Sequence, residues 1–210
     1  MRDLTDARLY LVAPAEFGGR NLADLVAELT GAGVDLIQLR EKEMDAGDVL
    51  RVAEPIAHAC RAAGVPFIVN DRPDVAQAVG ADGVHVGQND IPVGVARSIV
   101  GADAIVGLST HRREEVDSGA ATEADYIAVG PVYETPTKPG RPAAGLELIR
   151  YAAPRVERPW FAIGGIDEGD LPEVIDAGAR RIVVVRAITE AADPPAAAAR
   201  LKKMLLDAPG

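Results

Sequence analysis

Residues 66–90 read PFIVNDRPDVAQAVGADGVHVGQND. Two short runs rich in Val and Ile, 66–70 and 82–86, flank an alanine-containing segment at 73–79 with helical spacing that stops at Gly80. Such runs are too short for ordinary helices and read as strands. Strands joined through a helix pair in parallel, because a tight hairpin cannot make that crossover.

The same phrase recurs along the whole chain. Apolar runs at 8–13, 34–40, 104–109, 125–130, 160–165 and 181–185 join the two above, giving eight strand candidates. Between them, Leu22, Leu25, Val26 and Leu29 share one helical face behind Asn21, a predicted N-cap. Further helices are predicted over 45–63, 73–79, 92–99, 111–120, 145–153, 169–177 and 193–206, with Gly31, Gly64, Gly80 and Gly178 at helix ends. Eight alternations fit an α/β fold of the (β/α)8 TIM-barrel type, expected as a single domain over 1–210. An open doubly wound sheet is the competing arrangement, but the chain has no early GxGxxG. The irregular stretch PVYETPTKPGRP, 131–142, follows the sixth strand and reads as a lid or binding loop, with a surface insertion as the alternative.

Composition narrows the function classes. Hydrophobic residues make up 48 % of the 210, enough for a sizeable core. The formal net charge of −10 disfavours a nucleic-acid partner and requires any phosphorylated ligand to meet a local basic cluster or a cation. Cys60 is the single cysteine, so neither an intrachain disulfide nor a cysteine zinc cluster can form. No run has the length of a signal peptide or a membrane span, and a cytoplasmic protein without membrane partners is expected. Homo-oligomerisation is left open.

In a barrel of this kind chemistry gathers at the C-terminal ends of the strands. Polar residues stand there: Gln38-Leu39-Arg40-Glu41-Lys42, Asn70-Asp71, Gln88 with Asp90, Ser109-Thr110-His111, Thr135 with Thr137 and Lys138, Gly164-Gly165, and Val185-Arg186. Strand alternation puts Gln38, Arg40 and Lys42 on one face, opposite Ile37 and Leu39. A bidentate guanidinium beside an ammonium suits a diphosphate, although either could instead pair with Asp71 or Asp90. Adjacent strands lie about 5 Å apart, which lets Asp71 and Asp90 share one cation. Oxygen ligands next to a diphosphate point to Mg²⁺, against the alternative of a helix cap. The glycines after strand seven, with Val185-Arg186 after strand eight, fit a second phosphate site. His85 reads as a satisfied interior histidine, His58 and Cys60 as structural, and Trp160 as a packing residue. His111 is placed beside the mouth, capping a helix or facing a ligand.

The runs QLREK (38–42), VNDRPDVAQAVGADGVHVGQND (69–90), GLSTH (107–111), ADYIAVGPVYETPTK (124–138) and AIGGI with VVVRAI (162–188) resemble the thiamine-phosphate synthase family. QLRxK, the ND…GQxD pair and the TxTK loop are the specific parts; GLSTH and AIGGI are shared with related barrels. The resemblance implies a transferase that joins 4-amino-2-methyl-5-(diphosphomethyl)pyrimidine to 4-methyl-5-(2-phosphoethyl)thiazole, releasing diphosphate and giving thiamine monophosphate. It implies Arg40, Lys42, Ser109 and Lys138 as catalytic, with Gln38, Leu39, Glu41 and Asn70 around the pyrimidine diphosphate. Thr135, Pro136, Thr137, Gly165, Val185 and Arg186 would take the thiazole phosphate, and Asp71 and Asp90 Mg²⁺. The family commonly has a small hydroxyl residue where Arg186 stands. A thiazole tautomerase-like isomerase and a non-catalytic phospholigand-binding regulator are the rivals, and the complete set of pyrimidine-diphosphate residues favours the synthase.

Overall fold

The computed structural model describes residues 4–135 and 142–208. β1 (Leu9–Ala13) leads into a small antiparallel hairpin, β2 (Glu16–Phe17) and β3 (Arg20–Asn21), and then α1 (Leu22–Gly31). The alternation continues through β4 (Leu36–Leu39), α2 (Ala46–Ala63), β5 (Phe67–Asn70), α3 (Pro73–Val79), β6 (Gly83–Val86), α4 (Val93–Val100), β7 (Ile105–Thr110) and α5 (Arg113–Ala120). It ends with β8 (Tyr126–Val129), α6 (Gly145–Ala152), β9 (Trp160–Ile163), α7 (Leu171–Asp176), β10 (Ile182–Val184), the single-turn α8 (Arg186–Thr189) and α9 (Pro194–Asp207). Setting the hairpin aside, eight strands pair in parallel, each with the next along the chain, and β10 closes on β1. This is the closed (β/α)8 barrel.

The period of two sorts the side chains into two cores. Leu9, Leu11, Ile37, Leu39, Val69, Val84, Val106 and Ile127 face outward and pack with the buried faces of the helices. Tyr10, Val12, Leu36, Ile68, Ile105, Tyr126, Phe161 and Val183 fill the barrel. The rings of Tyr10, Tyr126 and Phe161 meet edge to face at centroid separations of 5.4 to 5.8 Å. Small residues give them room. A Cβ on Gly107 would collide with the Tyr126 ring and come within 2.5 Å of His85 Nδ1. Gly107→Ala is therefore expected to cost about 3 kcal/mol through overpacking, seen as a lower urea midpoint at unchanged slope.

The end opposite the mouth is locked by aspartates that precede alternate strands. Asp35 accepts from the backbone N–H groups of Arg8 at 2.8 Å and Leu9 at 2.9 Å. Asp82 does the same for Phe67 at 2.9 Å, and Asp125 for Val106 at 2.7 Å. Lys202 and Arg97 neutralise Asp35 and Asp125 respectively. Paired strand starts hold the barrel frame and leave the other rim free to vary.

Three local expectations are corrected. Asn21 occupies the N-cap position of α1, but its side chain makes no capping bond, since its backbone belongs to the hairpin. Gly31 lies within α1, and the left-handed residue that ends this turn is Gly33, whereas Gly64 and Gly80 do take left-handed C-caps. The strand containing Gln38 stops at Leu39, so its alternation does not extend to Lys42.

Candidate active site

The C-terminal ends of the strands surround a cavity of about 260 Å³. Gln38, Arg40, Asn70, Ser109, His111 and Thr135 line it on one side, and Gly164, Gly165, Val185 and Arg186 on the other. These residues come from most of the barrel strands, so the closed sheet gathers positions spread through the sequence. Glu190 and Asp167 also line it, and neither stood out in the sequence.

Arg40 follows β4, and its backbone N–H is fixed to Ala13 O at 2.9 Å. Burial pulls its guanidinium below the ordinary arginine value, opposed by the nearby charges of Asp71 and Glu41; it remains a cation. Its side chain makes no hydrogen bond or ion pair among the described residues. The Nδ2 of Asn70, at the end of β5, is buried and has no hydrogen-bond partner among the described residues. A buried donor and a half-buried cation at one cavity suit the acceptor oxygens of an anionic ligand.

Asp71 and Asp90 lie side by side, within hydrogen-bonding reach of each other. The backbone N–H of Asp71 donates to His85 O at 2.8 Å, and Asp71 holds the left-handed conformation at φ 59°. That region is sparsely populated outside glycine, and Asp is among the residues that tolerate it best. Asp90 Oδ2 accepts from the Gly87 N–H at 2.8 Å. Burial pushes the Asp71 carboxyl up, and the Asp90 charge adds to this, while Lys42 pulls it down. Two carboxylates this close repel when both are ionised, and a hard divalent cation between them would relieve it. Among the described residues no group of three or more His, Cys, Asp or Glu side chains gathers for a metal. A cation here would take its remaining ligands from water and phosphate oxygens, as small hard cations do.

The raised Asp71 value gives a pH prediction. A carboxyl whose pKa is higher in the native than in the unfolded state favours the native state while protonated. That contribution is complete below the ordinary carboxylate range and is lost as pH rises through the raised value. In EDTA, unfolding free energy is expected to lose this increment across that window, and Asp71→Asn should remove that part of the pH dependence. Urea titrations at a series of pH values measure it.

Other expected site residues have more local roles. Lys42 does not line the cavity; it is half exposed and pairs with Asp71 at 3.2 Å. Glu41 accepts from the Ala15 N–H at 2.6 Å, and Leu39 is buried in the layer between sheet and helices. Arg186 Nη1 stands 4.0 Å from Glu190 Oε2. His111 Nδ1 lies 2.6 Å from Gly130 O, and Gln88 Nε2 donates to Ser109 O at 2.7 Å. His85 is satisfied inside the barrel, bonded to Tyr126 and Ser109. His58 is exposed and Cys60 buried on α2, and Trp160 packs in the outer core. Pro136, Thr137 and Lys138 lie outside the described residues, as does half of the 131–142 stretch.

Comparison with known proteins places this geometry in context. Residues 9–188 match the thiamine monophosphate synthase family. The thiamine-phosphate synthase of Acidothermus cellulolyticus is 52 % identical over 204 residues, covering 96 % of both chains. That of Streptomyces avermitilis is 52 % identical over 204 residues, covering 96 % of this chain and 95 % of the other. Among solved structures, the thiamine phosphate pyrophosphorylase from Pyrococcus furiosus superposes with a TM-score of 0.87 at 31 % identity, over 97 % of each chain.

Proposed function

The chain belongs to the thiamine monophosphate synthase family and is a transferase with thiamine-phosphate synthase activity, and on that premise we propose how its residues divide the work. Arg40, Lys42 and Lys138 gather the diphosphate of 4-amino-2-methyl-5-(diphosphomethyl)pyrimidine, with Gln38, Asn70 and Ser109 holding its neutral parts and remaining oxygens. Leu39 and Glu41 shape this end through the backbone. Thr135, Pro136, Thr137, Gly165, Val185 and Arg186 receive the phosphate of 4-methyl-5-(2-phosphoethyl)thiazole. Asp71 and Asp90 hold Mg²⁺, which when bound supplies positive charge to the departing diphosphate. The enzyme works on free small molecules in the cytoplasm.

The reaction breaks the bond between the exocyclic methylene carbon and the diphosphate oxygen, which leaves with the electron pair. The aminopyrimidine ring delocalises the resulting cation. The thiazole nitrogen then donates its lone pair to the methylene carbon, forming the new C–N bond. The chain's own part is positioning and electrostatics. Arg40 offers charge that no described residue pairs in a salt bridge, Asn70 a donor, and Ser109 a hydroxyl. The walls of the barrel exclude water from a cation that water would quench.

The observation that carries this reading is the pairing of Arg40 and the unsatisfied Asn70 amide in one cavity, beside two carboxylates in contact. The test is an assay with both substrates and Mg²⁺. Thiamine monophosphate and diphosphate are expected in equal amounts, with activity lost in EDTA and restored by Mg²⁺. Tautomer conversion of a thiazole alone, or binding without turnover, would contradict it.

A further inference from the structure

Inside the barrel, beneath the mouth, one chain of hydrogen bonds crosses from wall to wall. Gln38 Nε2 donates to Tyr10 Oη. Tyr10 Oη lies 2.8 Å from Tyr126 Oη, and Tyr126 Oη lies 2.9 Å from His85 Nδ1. His85 Nε2 lies 2.8 Å from Ser109 Oγ. All five side chains are buried. Gln38 and Ser109, the two ends, line the cavity, as do Tyr10 and His85, whereas Tyr126 does not.

Proton counting fixes the sense of this chain. An amide nitrogen can only donate, so Tyr10 accepts from Gln38 and must pass its own proton to Tyr126. Tyr126 then donates to Nδ1, which leaves the imidazole proton on Nε2, shared with Ser109 Oγ. Ser109 is thereby an acceptor toward the interior, and its own proton is left to face the mouth. Burial pushes both phenols far above their ordinary value, so each keeps the proton this count assigns to it. One of the two amide N–H groups is used at Tyr10, and the Gln38 carbonyl is the acceptor the side chain has to offer.

The opposite sense is also self-consistent, but only with the Gln38 amide turned over. Its oxygen would accept from Tyr10, every hydroxyl would reverse, and His85 would carry its proton on Nδ1. Ser109 would then give its proton inward and turn lone pairs toward an anion. The two ends cannot switch independently.

We propose that this chain sets hydrogen-bond polarity at both ends of the pyrimidine site, with Tyr126 as a positioning residue. The inference rests on the substrate reading above. In the first sense, Gln38 offers a carbonyl to the exocyclic amine, and Ser109 offers a hydroxyl proton to the diphosphate. A 4-oxo analogue presents an oxygen in place of the amine and favours the reversed sense, which the diphosphate opposes at the far end. Discrimination between amino and oxo pyrimidines thus depends on Tyr126, although that residue touches neither.

Two measurements test this. The first uses ligand-free protein labelled with ¹⁵N-histidine, with His58→Asn and His111→Asn assigning two of the three histidines by elimination. Two-bond ¹H–¹⁵N spectra should place the His85 proton on Nε2; a proton found on Nδ1 would overturn the proposal. The second is Tyr126→Phe, which keeps the ring stacked on His85 and against Tyr10 and Phe161. Dissociation constants for the amino and 4-oxo pyrimidine diphosphates are compared in both proteins. The preference for the amino compound should fall about tenfold in the variant, with some His85 proton appearing on Nδ1. An unchanged preference means a purely structural tyrosine and refutes the idea. Should the wild type bind neither pyrimidine, the substrate reading fails, while the tautomer result still decides the polarity of the chain.

Discussion

Asp71→Asn lowers turnover by about a thousandfold in saturating substrates, the scale at which removing a fixed electrostatic contact to a developing charge is felt. Asparagine is close to isosteric and tolerates the left-handed conformation at φ 59°, so the loop after β5 should keep its shape. What is lost is negative charge. The Asp71–Asp90 pair could no longer compete for a divalent cation, and Lys42 would lose its partner at 3.2 Å. The same substitution removes a carboxyl whose ionisation is opposed by burial and by Asp90. Metal-free Asp71→Asn should therefore be at least as stable as the parent at neutral pH. Activity and stability then move in opposite directions, as at sites where charges are held together for function. Stopped-time assays for turnover and thermal melts in EDTA measure the two. Turnover within a few-fold of the parent at ordinary Mg²⁺ concentrations would show that the pair does not serve the reaction.

Arg40→Ala should cost a factor of about 10² to 10³ in turnover, with a weaker apparent affinity for the pyrimidine diphosphate. The guanidinium is half-buried, faces the cavity, and makes no ion pair among the described residues. On the proposed reading it stands where leaving-group charge grows, with its burial opposed by the nearby charges of Asp71 and Glu41. Removing it should leave the barrel about as stable as before, because neither a protein salt bridge nor a core contact goes with it. Arg40→Lys should recover only part of the loss, since an ammonium cannot grip two diphosphate oxygens as a planar fork does. Steady-state kinetics with each substrate varied separately, beside urea titrations, read both effects.

The barrel and much of its rim could be read from local patterns. Short Val- and Ile-rich runs alternating with helical stretches require no knowledge of distant contacts, and the strand-end rule turns each run into a site position. That rule puts Arg40 and Asn70 at the mouth, where they line the cavity, and Asp71 and Asp90 next to each other beside it. What escaped depends on neighbours remote in sequence. Tyr10 and Tyr126 stand in apolar runs and look like packing residues; their hydroxyls gain meaning only because the closed barrel puts them 2.8 Å apart. Strand alternation puts Lys42 on the face of Gln38, but β4 stops at Leu39 and the lysine pairs with Asp71. The hairpin formed by β2 and β3 and the single turn α8 are too short to leave a periodic signal. Glu190 enters the cavity from the end of that turn, so it too was invisible in the sequence.

The charges at the mouth are held here to bind diphosphate and a divalent cation together. Calorimetric titration of inorganic diphosphate, with and without Mg²⁺, measures that directly. Binding that is strong with Mg²⁺, weak without it, and lost in both Arg40→Ala and Asp71→Asn is the expected result. Equal affinity in all four conditions would mean that these residues do not form one site.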